Sequence, residues 1–161
     1  MGKHVDPFED MQIHDERVPA ESYREFVEHM PQICVEVVLE TDRGVLLAKR
    51  VNHPRVWFWP GGRLYKGEPL ATAARRVAAE ELGIAVDLVG DFGPYAHFWR
   101  ASGDAPSRHT VNVPFHVRPR GTRAEISLDD QHSEYRFVDA VESWMHPYVR
   151  RYLTDTGIIQ Q

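Results

Sequence analysis

Two adjacent carboxylates, Glu80 and Glu81, stand near the end of a segment running from Gly61 to Ile84: G-G-R-L-Y-K-G-E-P-L-A-T-A-A-R-R-V-A-A-E-E-L-G-I. After the Gly61-Gly62 turn and a short polar loop, Pro69 fits a first helical position, where its missing N–H is an orphan donor in any case. Leu70, Ala73, Ala74, Val77 and Ala78 recur at helical intervals and predict a narrow face of small residues packed on a sheet. Gly83 supplies the stop. Both carboxylates then leave the last helical turn, where a loop carbonyl and one or both acids converge on a hard cation such as Mg²⁺. Acids at a helix C-terminus oppose the macrodipole and call for a cation or a basic partner. The alternative for a bare Glu-Glu-x-Gly is a solvated acidic helix end with a glycine cap.

The elements that position this segment read as α+β. Tyr23, Phe26, Val27 and Met30 keep helical spacing and predict a short amphipathic helix over Glu21–Met30. Ile33, Val35, Val37 and Leu39 alternate with Cys34, Glu36, Val38 and Glu40, the period of a strand with one buried face. Thr41 to Gly44 is a hairpin turn returning into a strand over Val45–Lys49. Further strands are expected near 85–90, 95–100, 110–117 and 135–138, and a C-terminal helix carries Val149, Tyr152 and Leu153. Residues 1–20, polar and interrupted by Pro7 and Pro19, read as a loose arm before a domain of 21–161.

Composition narrows the function classes. A chain of 161 residues is long enough for one real core. Its net charge of −5 argues against a nucleic-acid partner, and Arg118, Arg120 and Arg123 read as a solvated turn. No apolar run reaches membrane-spanning length, so no membrane partner is expected. The single cysteine, Cys34, excludes an internal disulfide and fits a reducing, cytoplasmic setting. It reads as a small strand side chain, not a nucleophile.

The Gly61–Ile84 segment resembles the Nudix box of diphosphate hydrolases, with Gly62, Glu68, Arg76, Glu80, Glu81, Gly83 and Ile84 in register. Val77 replaces a Glu of that pattern and Ala78 a larger aliphatic. The resemblance implies an αβα sandwich with a mixed central sheet. It extends over most of residues 21–155 to the GDP-mannose glycosyl hydrolase branch, through Leu46-Leu47-Ala48-Lys49-Arg50, Trp57-Phe58-Trp59-Pro60-Gly61-Gly62-Arg63 and Asp129-Asp130-Gln131-His132-Ser133-Glu134-Tyr135-Arg136. That branch attacks the sugar C1 and expels the nucleoside diphosphate with inversion, and it also lacks the Glu replaced here by Val77.

Carried over residue by residue, the resemblance implies metal contacts at the Gly61 carbonyl, Glu81 and the Gln131 side chain, with Glu80 as a further candidate ligand. Mg²⁺ is the expected ion, with Mn²⁺ as a substitute. Arg50 and Arg63 match diphosphate-binding arginines that also stabilise the departing charge. Glu36 takes the place of a substrate-contacting Asp, and His97 matches a substrate-contact histidine. His132 matches the general base, a role suited to a neutral imidazole. Thr110 departs from the branch, which has a Tyr there near the leaving group. Trp57, Phe58 and Trp59 are expected to pack the loop on the sheet. The branch forms dimers through its N-terminal region, which implies a homodimer here. Two other functions stay open: a Nudix pyrophosphatase cleaving a nucleotide sugar or nucleoside triphosphate at phosphorus, and a non-catalytic nucleotide-sugar binding module.

Overall fold

In the computed structural model, residues 11–121 and 125–159 are described. Along the chain they form α1 (Ala20–His29), β1 (Gln32–Thr41), β2 (Gly44–Arg50), β3 (Trp57–Phe58), β4 (Gly61–Arg63), α2 (Leu70–Leu82), β5 (Val86–Asp91), β6 (Tyr95–Trp99), β7 (Arg108–Pro119), β8 (His132–Val138) and α3 (Pro147–Thr156). The strands join in one mixed sheet whose main path is β3-β2-β1-β7-β5, with β4 on β1, β6 on β7 and β8 on β2. The β1–β7 pair is parallel. Its neighbours, such as β1–β4 and β6–β7, are antiparallel.

The two faces of β1 correct the expectation of a strand with one buried side. Val35, Val37 and Leu39 point into a cluster with Ala73, Ala74, Val77, Ala78 and Leu82 of α2. Val38, on the opposite face, joins a second cluster with Trp59, Tyr152 and Leu153 under α3. A central strand covered by helices on both sides buries alternate residues in both directions, so its sequence loses the polar face of an edge strand. Each Val or Leu buried this way contributes about 1.5–3 kcal/mol against exposure. The architecture is therefore the expected helix–sheet–helix sandwich.

The helix of the box behaves as its spacing predicts, offset by one residue: Pro69 caps it in an extended conformation and Leu70 opens it. Gly83 ends it at φ 66°, ψ 25°, and its N–H bonds to the Ala79 carbonyl. A side chain here would be strained by that left-handed φ and would press its Cβ to 3.0 Å from Ser127 Cβ. In α1 only Val27 is buried; Phe26 is exposed, as is Met30, which the expected helix included but which lies just past its end. Of the expected N-terminal arm, the first ten residues lie outside the described ones. Within the rest, the His14 N–H bonds to the Lys66 carbonyl at 2.9 Å. Arg118 pairs with Glu40 and Arg120 with Asp87, while Arg123 lies outside the described residues.

Candidate active site

One cavity of about 400 Å³ opens where the N-terminal half of β1 meets β4, β6, β7 and the end of α2. Glu36, Arg50, Gly61, Arg63, Glu80, Glu81, His97 and Gln131 all line it. The topology explains the convergence. Glu36 and Gly61 are register partners across β1–β4, as are Cys34 and Arg63, and Cys34 faces Asn112 across β1–β7. His97 and Thr110 pair across β6–β7.

Gly61 is required by close approach. A Cβ on it would lie 2.9 Å from Glu36 Cγ and 3.1 Å from the Val35 carbonyl oxygen. Its N–H donates to Glu81 Oε2 at 2.9 Å and fixes the carboxylate at the cavity wall. Glu68 and Arg76 have another task. Arg76 donates to both Glu68 oxygens, at 2.6 and 3.0 Å, and to the Arg63 carbonyl at 3.0 Å. Glu68 also accepts the Tyr65 N–H. This clamp holds the loop that carries Arg63.

Glu80 and Glu81 differ sharply in setting. The Glu80 side chain is 57% exposed and accepts from Arg76 at 3.2 Å, which supplies the basic partner its helix-end position calls for. Glu81 is buried and belongs to a group with Asp129 and His132 whose candidate ligand atoms all lie within 4.8 Å of one another. Burial first, and the Asp129 charge second, push the Glu81 carboxyl up to about 8. Two close carboxylates and an imidazole are a donor set that a divalent cation neutralises, so the residues fit such an ion.

Asp129 is the member of this group that sequence reasoning missed. Its signal was its place three residues before His132, in the same acidic string. Asp129 Oδ1 lies 2.7 Å from His132 Nδ1. An acceptor there favours the tautomer with the proton on Nδ1, leaving Nε2 as the basic nitrogen, 3.9 Å from Glu81 Oε2. His132 itself is buried and does not line the cavity, but its Nε2 lies beside Glu81, which does. Gln131, the residue before it, does line the cavity.

The other end of the cavity is a buried polar network. Tyr152 of α3 donates to Glu36 Oε2 at 2.6 Å, and its oxygen lies 3.2 Å from His97 Nε2. With its proton committed to Glu36, the hydroxyl is an acceptor for a His97 Nε2–H. Burial drives the Glu36 carboxyl up to about 8, against the Tyr152 bond and the Arg50 charge. Burial, helped by His146 and Arg151, takes His97 down to about 4, so the imidazole is neutral. His97 stacks on Tyr148 at 4.0 Å with Phe58 edge-on. Tyr152 was read only as a core residue of the last helix; its hydroxyl is what the helical spacing did not show.

Phe58 and Trp59 pack in the core as expected, Trp59 stacking on Tyr152, and they wall the cavity from behind. Trp57 is half-buried, with Arg136 4.5 Å over its ring. The Cys34 thiol is pushed up to about 11, by burial and then Glu36, which leaves it a thiol rather than a nucleophile.

The chain is 36% identical over 141 residues to the low-salt glycan biosynthesis protein Agl8 of Haloferax volcanii, covering 85% of this chain and 89% of that one. It is 33% identical over 127 residues to an RNA pyrophosphohydrolase of Caulobacter vibrioides, covering 67% of this chain and 69% of the relative. Its fold matches that of the MutT protein from Methanosarcina mazei Go1 with a TM-score of 0.62, at 19% identity, over 80% of this chain and 95% of that chain. The NUDIX domain model matches residues 30–155, which contain the clamped loop, the box helix and the wall of the cavity apart from Tyr23. The chain belongs to the Nudix hydrolase family.

Proposed function

We propose that this protein hydrolyses a GDP-sugar, GDP-mannose or GDP-glucose, at the sugar C1–O bond, giving GDP and the free sugar with inversion. The observation that carries this reading is the scarcity of box carboxylates left free to hold a metal at the cavity. Val77 lies in the apolar core with 1% exposure, and Glu80 is turned to Arg76, which leaves Glu81 beside Asp129, His132 and Gln131. Such a set suits neutralisation of one departing diphosphate more than the multi-carboxylate cluster expected for attack of water at phosphorus. The Haloferax relative is named for glycan biosynthesis, and a sugar substrate agrees with that name.

Glu81, Gln131, the Gly61 carbonyl and Asp129 would hold Mg²⁺ or Mn²⁺, which supplies positive charge against the leaving diphosphate. Arg50 and Arg63 grip the same oxygens. Glu36 and His97, at the aromatic end, bind the substrate. Water adds to C1 as the C1–O bond breaks, and the bonding pair leaves on the diphosphate oxygen. The proton of that water goes to His132 Nε2, which approaches the cavity beside Glu81, 3.9 Å away, and in this reading is not a ligand of the ion. Asp129 orients His132 for this. We assign the function to a domain of 21–161 with residues 1–20 as its arm, to a homodimer, and to the cytoplasm; no described helix is long and apolar enough to cross a membrane.

Hydrolysis of GDP-mannose in ¹⁸O-water tests the reaction. The label is expected in the sugar, with unlabelled GDP and the β-anomer released first. His132→Gln should lower kcat by about 10²-fold or more with little change in binding. GMP and sugar 1-phosphate as products would establish the pyrophosphatase instead, and tight binding without turnover would establish a binding module.

A further inference from the structure

Four guanidiniums face the cavity, and they are not equivalent. Arg76 is committed to Glu68 and Glu80. Arg50, Arg63 and Arg108 have no carboxylate within ion-pairing distance among the described residues. Arg50 and Arg63 already belong to the proposed reaction; Arg108 does not. It opens β7 opposite Trp99, on the face shared with Thr110 and Asn112. Neutral groups alone hold it: it donates to Gln32 Oε1 at 2.8 Å and to the Tyr23 hydroxyl at 3.1 Å. Its Nε is buried without a partner, and so is the Nε of Arg50.

These three cations line one cavity together with Cys34. Arg108, Arg50 and Arg63 all act on the thiol of Cys34, and Arg108 adds to the burial that disfavours charge on Arg50. Glu81 and Glu36 act on Arg50 only from beyond ion-pairing distance, and like charges brought together out of water with orphaned donors are costly unless an anion supplies the closer balance. A small anion is already matched by two arginines; a third charge suits a polyanion. Thr110, a short side chain whose hydroxyl is bound by Asn112 Nδ2 at 3.0 Å, lies beside Arg108 in the same wall.

We propose that Arg108, held by Gln32 and Tyr23, is a third diphosphate-binding residue of this cavity, completing with Arg50 and Arg63 a cradle for the nucleoside diphosphate. It rests on the reading of the site as one for a nucleoside diphosphate derivative. Cleavage at C1 leaves the bonding pair on the diphosphate and adds a negative charge, so the cradle is matched to the product more than to the substrate. Tyr23 makes α1 part of the site, since its hydroxyl fixes the direction of the guanidinium.

Calorimetric titration of the full chain with GDP and with guanosine, in Mg²⁺, tests this. Arg108→Gln should weaken GDP by about 10- to 100-fold, the range for a lost charged hydrogen bond, while guanosine binds as before. Its GDP affinity should also fall less steeply with salt. GDP affinity within twofold of the wild type, or an equal loss for guanosine, overturns the proposal. Should Arg108→Gln fail to fold by circular dichroism, Arg108→Lys decides: loss of the fork should weaken GDP by about threefold or more with guanosine unchanged, and equal GDP affinity overturns the proposal. Binding requires no turnover, so GMP and sugar 1-phosphate as wild-type products would defeat cleavage at carbon while leaving the Arg108 result to stand on its own.

Discussion

The buried pair Glu36 and His97 makes a stability prediction whose sign can be worked from the site. Burial raises the Glu36 carboxyl from its ordinary 4.5 to about 8. The native state therefore holds a proton that the unfolded chain has lost between those values. This contribution is fully present below pH 4.5 and disappears as pH rises through 8. His97 runs the other way, since burial lowers it from 6.5 to about 4 and its contribution is lost as pH falls below 6.5. The two slopes oppose each other up to pH 6.5, and above it only the Glu36 slope remains. One group at full slope changes stability by about 1.4 kcal/mol per pH unit, which integrates to about 2 kcal/mol between pH 6.5 and 9. Glu36→Gln keeps an acceptor for Tyr152 and removes the titration. Urea unfolding of both proteins at fixed pH values across that window, with chelator present, should show the variant gaining about 2 kcal/mol on the wild type. Parallel curves would refute the claim that Glu36 is held protonated by its burial.

Further outcomes are expected for the metal and for the assembly. Glu81→Gln should lower turnover of GDP-mannose by about tenfold or more, and chelation should abolish wild-type activity that Mg²⁺ or Mn²⁺ restores; full activity after exhaustive chelation would remove the metal from the reaction. Light scattering should report a dimer, and Phe26→Asp, at an exposed position of α1, should shift it toward the monomer mass. A wild-type mass equal to one chain at every concentration would reject the assembly.

The box helix was legible because its pattern is local. Small residues at helical spacing, a proline before and a glycine after determine α2 almost to the residue, whereas Gly61-Gly62, read as a turn, belongs to the strand β4 because it pairs with β1. β1 was half legible: the alternation identified a strand, but only the helix across the second face decides that Val38 is buried as fully as Val37. Glu36 fell on the polar side of that alternation and was picked out only by the family resemblance; its burial and the raised carboxyl that follows come from the second buried face.

What the sequence hid are contacts between residues far apart along the chain whose types are ordinary where they stand. Tyr152 satisfies the spacing of a core residue, yet its hydroxyl reaches Glu36 across 116 positions. Arg108 sits in a polar stretch where an arginine reads as solvated, and becomes unusual only once the parallel pairing of β1 with β7 places Gln32 in reach, with no carboxylate within ion-pairing distance among the described residues. Asp129 was visible in its string, but its bond to His132 depends on the turn that opens β8. In each case the residue type supplies the chemistry and the register supplies the partner. Spacing therefore located the carboxylate end of the cavity, where Gly61 and Glu81 lie on one continuous segment, better than the end built from α1, β7 and α3.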